Sequence, residues 1–305
     1  MEKFKVHILG CGSALPTTRH NPTSQIINIR EKLFMIDCGE GAQLQIRKEH
    51  LKFSRLNHIF ISHLHGDHCF GLMGLISTMS LLGRTATLHI HSPKELEELL
   101  RPQLNFFCKD CCYEVEIHPF NPEKTEVIYS DRSVEVTTIP LRHRVPCAGF
   151  LFAEKQTPNH LIREMLDFHQ VPLYEFNRIK NGADYITPEG EIIPNDRLTK
   201  PSNPPRKYAY CSDTIYLERN IPLLNKVDLL FHEATFASNN ESRAAETKHS
   251  TAKQAATLAK KAQAKQLLIG HFSARYENEE CLLEEAKNIF PHTMLAKEGL
   301  CINIE

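Results

Sequence analysis

Three histidines and an aspartate, His63, His65, Asp67 and His68, fall within six residues of the stretch ISHLHGDHCFG. Between an apolar run and a glycine, imidazoles and a carboxylate are poor packing groups and good ligands for a borderline divalent cation. Four donors so close together crowd a single small ion, so the spacing points to two neighbouring ions. More donors recur in one setting, the end of a predicted strand before a turn: His143 in TIPLRHRVP, Asp213 in YAYCSDT and His271 in LLIGHFS. A consistent assignment gives His63, His65 and His143 to the first ion and Asp67, His68 and His271 to the second, with Asp213 as a bridge. Alone, His143 or His271 fits a structural histidine as well as a ligand; the dense cluster is what favours a metal centre. A ligand set without thiolate suits two Zn2+ ions, with Mn2+ or another divalent ion as the alternative. Two ions about 3.5–4 Å apart hold a hydroxide between them and neutralise the oxygens of an attacked phosphate or carbonyl. Asp67 is then both a ligand and a group able to aim that hydroxide.

These residues need strand ends that converge on one rim. Short apolar runs, KVHILG, SQIINI, KLFMIDCGEG and NHIFIS, read as strands, and GAQLQIRKEH and LMGLISTMSLL read as helices. Gly66 is expected to permit a tight turn that brings Asp67 and His68 to the start of a helix. In TATLHIHSPKELEELLRPQL a strand leads to a helix with Ser92 placed as its cap. Strand character returns in YEVEIHPF, EVIY and VEVTTIPLRH, then in KYAYCSDT and VDLLFHEATF, and STAKQAATLAKKAQAKQLLIGHFS reads as helix then strand. Two rounds of sheet followed by helices predict an α/β fold, a four-layer αβ/βα sandwich. Residues 155–206 differ in character, with one short helix, polar stretches, a Pro-Glu-Gly turn and a proline-rich exit. Their acidic and basic residues balance, and the residues alone leave open an ordinary subdomain or a protruding substrate arm.

Composition sets the outer limits. With 305 residues, 41% hydrophobic and 24% charged, the chain is expected to fold around a substantial core. A formal charge of -1 excludes a uniformly basic nucleic-acid binder, while Arg47 to Arg55 and the pair Arg142 and Arg144 leave room for local basic patches. No apolar run reaches the roughly 20 residues that a membrane helix needs, so no membrane partner is expected. The opening MEKFKVHILGCGSALP reads directly into a strand and a glycine turn, and the ten cysteines are scattered. Both features lead to an expected cytoplasmic location. The CKDCC stretch from Cys108 to Cys112 reads as plain thiols, because no second Cys or His pair follows at structural-zinc spacing.

HLHGDH with the later His, Asp and His resembles the metallo-β-lactamase superfamily, and the surrounding segments resemble its ribonuclease Z family. The segments that carry the resemblance are LGCGSALPTTRHNPTSQ, FMIDCGEGAQLQI, ISHLHGDHCFGLMGL, PLRHRVPCAGF, YCSDT, HEATF, KHSTAKQAA and LIGHFSARY, in order from residue 9 to about residue 276. The resemblance implies a single metallo-β-lactamase-type hydrolase domain over residues 1–305, with 155–206 as an inserted arm that serves as a tRNA-binding exosite. It implies endonucleolytic removal of the 3′ trailer from precursor tRNA, leaving a 3′-hydroxyl on the tRNA and a 5′-phosphate on the trailer. Two zinc ions per subunit and a homodimer are implied with it. It adds two residues that spacing does not single out, Glu233 of HEAT and His249 of HST, as an orienting carboxylate and a proton donor to the leaving oxygen beside the catalytic Asp67. Arg275 and Arg144 become candidates for phosphate contacts. The segment HQVPLYEFNRIKNG departs from the family pattern in lacking a Gly-Pro turn. A relaxed phosphodiesterase and an RNA-binding module with structural metals remain the competing readings.

Overall fold

The computed structural model describes residues 3–305; Met1 and Glu2, at the head of the opening stretch, lie outside the described residues. The chain divides into two compact units, one of residues 3–130, 135–152 and 206–305 and one of residues 131–134 and 153–205.

Two seven-stranded sheets make up the larger unit. The first contains β1 (Phe4–Gly10), β2 (Ser24–Ile29), β3 (Lys32–Cys38), β4 (Leu56–Phe60), β5 (Leu88–Pro93) and β6 (Val115–Phe120). The second begins with β7 (Val127–Ser130), β8 (Val134–Pro140) and β9 (Ala148–Glu154). After four short strands of the insertion, β10 (His160–Leu161), β11 (Tyr185–Ile186), β12 (Ile192–Ile193) and β13 (Thr199–Lys200), it continues with β14 (Lys207–Cys211), β15 (Leu229–Glu233), β16 (Gln266–Gly270) and β17 (Thr293–Leu295). The last strand, β18 (Cys301–Asn303), returns to the edge of the first sheet, whose order is β18-β1-β2-β3-β4-β5-β6. The second sheet runs β17-β16-β15-β14-β9-β8-β7.

Aromatic side chains fill the space between the sheets. Phe34, Phe60, Phe150 and Phe152 are fully buried, and Phe60 meets Phe152 edge-on at 5.4 Å between ring centroids. Two tyrosines of β14 carry their hydroxyls across to the first sheet: Tyr208 donates to Gln25, and Tyr210 donates to the Asp37 carboxylate at 2.7 Å. Outside the first sheet lie the helices Ala42–Lys48, Leu72–Leu81 and Glu95–Phe107, which bury Ile46, Leu75, Ile76, Met79, Leu96 and Leu100. The helix Ala252–Lys261, with buried Ala255, Ala256 and Ala259, packs on β15 and β16. Its start is fixed by a capping box in which Thr251 accepts from the Gln254 amide and Gln254 reaches back. This is the αβ/βα sandwich expected from the sequence.

One local expectation needs correction. Ser92 does not cap the helix that follows; it lies in β5 and its hydroxyl turns to the Pro93 carbonyl at 3.0 Å, because the strand continues through Pro93. Gly66 brings Asp67 and His68 to the start of a helix, as expected. It is the first residue of the helix Gly66–Cys69, and a side chain there would meet the Phe70 ring at 2.3 Å.

The smaller unit has its own apolar core of Leu166, Val171, Ile179, Tyr185, Ile193 and Leu198. Three helices, Arg163–Phe168, Phe176–Lys180 and Asn195–Leu198, and two small antiparallel pairs, β10 with β13 and β11 with β12, surround it. The sequence suggested one short helix here. Helices of four to six residues are too short to display a 3.6-residue apolar period.

Candidate active site

Parallel pairing sets the site. β14, β15 and β16 run side by side, with Cys211 opposite His232 and Glu233 opposite Gly270. Their carboxyl ends therefore finish together and release Asp213, Glu233 and His271 at one edge, the usual location of a site in an open parallel sheet. In the first sheet β3 and β4 are likewise parallel and deliver Asp37 and then His63 to the same rim. The helix Gly66–Cys69 follows at once and carries Asp67 and His68. Its backbone sits against the turn after β3 so closely that a side chain on Gly39 would lie 2.7 Å from the Asp67 carbonyl.

All seven residues suggested as ligands are brought together. His63, His65, His143 and Asp213 place one donor atom each within 4.8 Å of one another, and so do Asp67, His68 and His271. The carboxylate of Asp213 faces both groups. Its Oδ1 lies 3.9 Å from His63 Nε2 and 3.7 Å from His143 Nε2, while its Oδ2 lies 3.1 Å from His68 Nε2 and 3.3 Å from His271 Nε2. Asp67 Oδ2 completes the second group at 3.4 Å from His68 and 3.6 Å from His271.

The chemistry of this donor set fits divalent cations. The buried Nε2 atoms of His68, His143 and His271 have no hydrogen-bond partner, a costly state for polar atoms without a ligand to bind. Burial pushes His143 down to about 4, leaving a neutral imidazole suited to coordination. At His68 burial acts in the same direction, but the converging carboxylates of Asp213, Asp37 and Asp67 outweigh it and raise the imidazole well above its ordinary range. That excess of negative charge on one ring is what a cation neutralises.

Outer partners aim each ring. His68 Nδ1 lies 2.7 Å from Asp37 Oδ2, His143 Nδ1 lies 3.1 Å from the Lys248 carbonyl, and His271 Nδ1 lies 3.1 Å from the Thr235 hydroxyl. Asp37 also accepts from the Ser62 amide at 2.7 Å, the Ser62 hydroxyl at 2.9 Å and the Tyr210 hydroxyl. Sequence reasoning did not single out Asp37, although one signal was there: a lone carboxylate ending the apolar strand KLFMIDC. Asp37, Asp213 and His271 all have positive φ, at 54°, 57° and 59°. Such backbone costs on the order of 1–3 kcal/mol per residue and persists where the surroundings impose it, most often at functional sites. Asp37→Asn is expected to weaken metal retention about 10–100-fold, the usual effect of losing an outer carboxylate. Competition against a chelator measures the loss.

Beside the ligands stand Glu233 and His249. Glu233 Oε1 pairs with His249 Nδ1 at 3.0 Å and accepts from the Thr214 amide at 2.6 Å. Its Oε2 accepts from the Ser250 amide at 3.1 Å and from the Thr235 hydroxyl at 2.5 Å. With both oxygens engaged and no exposure, this carboxylate is fixed. Burial opposes a charge on His249, yet the adjoining Glu233 carboxylate outweighs it and lifts the ring to about 9.

The candidate phosphate contacts lie near this pair. Arg144 is exposed, and its charge acts on both His65 and His249. Arg275 stacks 4.8 Å above Phe236, whose ring is 6.2 Å from that of His249, and donates to Asn240 Oδ1 at 2.9 Å. In the basic stretch, Arg55 is paired with Glu31. All ten cysteines are free thiols, and Cys108 and Cys111 pack against the first core.

Comparison with known proteins extends beyond the fold. The family model described as Anti-Pycsar protein Apyc1 matches residues 4–156, a span that includes HLHGDH and His143 but ends before Asp213. Ribonuclease Z of Bacteroides fragilis is 69% identical over 304 residues, covering 100% of both chains. The chain belongs to the ribonuclease Z family. Ribonuclease Z of Porphyromonas gingivalis is 55% identical with 100% of both chains covered. The crystal structure of the short form of human tRNase Z is similar at a TM-score of 0.71, with 25% identity and 99% of each chain covered. Ribonuclease Z relatives thus match along the whole chain, the span of the 153–205 unit included, and not only over the first half.

Proposed function

We propose that this chain is a zinc-dependent endoribonuclease that removes the 3′ trailer from precursor tRNA in the cytoplasm, acting as a homodimer with two zinc ions per subunit. The observation that carries the reading is a fixed carboxylate–imidazole pair beside a donor set built for two cations, with the His249 ring 4.9 Å from His143 and 5.4 Å from His271. When bound, the ions supply an acidified water and positive charge for the phosphate oxygens.

The chain's own groups do the rest. Asp67 accepts a hydrogen bond from the attacking water and aims it at phosphorus. Glu233 holds His249 through Nδ1, so that Nε2 presents its proton to the departing ribose 3′-oxygen, which leaves poorly as an alkoxide. Arg144 and Arg275 hold flanking phosphates. The 153–205 unit serves as the arm that grips tRNA. Its exposed Phe168 and Tyr174, 76% and 78% accessible, offer rings on which unpaired bases stack, a mode that does not need net positive charge.

The test is to incubate protein of measured metal content with a 3′-extended precursor tRNA and to map both new ends, with Asp67→Ala as the control. The expected result is one metal-dependent cut beside the acceptor stem, giving a 3′-hydroxyl and a 5′-phosphate, absent in the variant. A 2′,3′-cyclic phosphate would overturn the mechanism by showing that the RNA 2′-oxygen was the nucleophile. Turnover of a bis-aryl phosphate without any cut in tRNA would move the function to small phosphodiesters.

A further inference from the structure

On β4, β5 and β6 of the first sheet, four histidines gather without any part in the site above. The strand register puts His58 opposite His89 and His89 opposite Glu116, and in the next row His91 opposite His118. Because side chains two apart on a strand share a face, all of these groups stand on the same side of β4, β5 and β6. The rings of His58 and His89 stack at 4.8 Å, and those of His91 and His118 at 5.0 Å. His91 is the innermost and is buried beside Phe60, while His89, Glu116 and His118 face solvent with 29%, 40% and 43% of their side chains exposed.

Three donor atoms converge at the outer end. His89 Nδ1 lies 3.0 Å from His118 Nε2 and 3.1 Å from Glu116 Oε2, and His118 Nε2 lies 3.5 Å from the same oxygen. In tetrahedral zinc with bonds of about 2.0–2.1 Å, neighbouring ligand atoms lie roughly 3.3 Å apart. The three separations bracket that edge, and they match the 3.1–3.6 Å separations among Asp67, His68, His271 and Asp213 in the candidate active site.

We propose that His89, Glu116 and His118 form an additional binding site for a borderline divalent cation, zinc foremost, with its remaining position open to water. Two histidines and a glutamate are a known tridentate zinc set. The site is preorganised, because sheet register alone fixes its three backbone positions on a rigid scaffold. Among the described residues, the hydrogen bonds and ion pairs of this trio run to one another and none to backbone. A comparable group, Cys11, His20 and Glu298, is different: its thiol donates to the Ala296 carbonyl and Glu298 accepts from the Asn21 amide, so its donors are already engaged. Burial, with the neighbouring imidazoles, holds His91 at about 3, so the ring behind the site stays neutral and adds no repelling charge.

The experiment is zinc stoichiometry by equilibrium dialysis and elemental analysis on the intact protein, comparing it with His118→Asn and Glu116→Gln. The expected result is one more zinc per chain in the parent than in either variant, with precursor-tRNA cleavage unchanged. Cobalt in the same position should give an absorption spectrum of tetrahedral nitrogen and oxygen ligands without thiolate charge transfer. Equal stoichiometry in parent and variants, or a thiolate band on the additional ion, would overturn the proposal. The two side chains are half-exposed, so both variants should fold, and a parent melting temperature that rises with added zinc while theirs does not gives an independent readout.

Discussion

Asp213→Ala is expected to empty both positions of the metal centre and to lower precursor-tRNA cleavage by at least about 10³-fold, the upper range for removing one electrostatic contact from a transition state. The argument is geometric. Each oxygen of Asp213 faces a different ligand group, Oδ1 toward His63 and His143 and Oδ2 toward His68 and His271. Every other proposed ligand serves one group only. Removing this carboxylate also leaves four buried imidazoles without the charge that compensates the cations, so affinity falls at both positions together. Alanine is poorly suited to the backbone here, at φ 57°, whereas asparagine tolerates that conformation. Asp213→Asn therefore separates charge from shape: it should melt near the parent and still lose metal. Elemental analysis with single-turnover cleavage checks this, and a fully metallated Asp213→Asn would refute the bridging role.

His249→Ala is expected to slow the chemical step about 10²–10⁴-fold, the usual contribution of a general acid, while metal content stays the same. Metal analysis is the deciding control, since Asp213, His249 and His271 are themselves close enough to form a ligand group. Loss of an ion in His249→Ala would make the residue a ligand. The contact of its Nδ1 with Glu233 at 3.0 Å favours the acid role, because it fixes the tautomer and leaves Nε2 free to carry the proton. A substrate with sulfur in place of the scissile ribose 3′-oxygen departs without protonation. It should restore most of the lost rate in His249→Ala but none in Asp213→Ala.

The αβ/βα layering was readable because strands such as KLFMIDC and VDLLFHE are apolar runs bounded by turns, and the helix of residues 252–261 repeats its alanines at helical spacing. The positions of His143, Asp213 and His271 were readable for a related reason: polar residues that terminate apolar strands stand out. Asp37 ends a strand in the same way, but a single carboxylate has no local partner to mark it, and its contacts with His68, Ser62 and Tyr210 come from three other segments. Glu233 and His249 were suggested only by resemblance, since Ser250 and Thr251 make His249 look like part of a helix start. The histidine cluster on β4, β5 and β6 was invisible for a third reason: its members are far apart in sequence and meet only once the register is set.

The order in which the ligands occur along the chain bears on the birth of the protein. His63, His65, Asp67 and His68 leave the ribosome early, attached to the first sheet, whereas Asp213 and His271 follow the parallel strands of the second. Synthesis is vectorial, and amino-terminal parts fold before the remainder exists. A nascent or truncated chain that stops between residues 213 and 271 carries the first ligand group and the bridging Asp213 but lacks His271, so the second group is incomplete. The proposed two-ion centre is therefore completed by a residue 208 positions after its first ligand and on the other sheet, so its assembly waits on the second sheet.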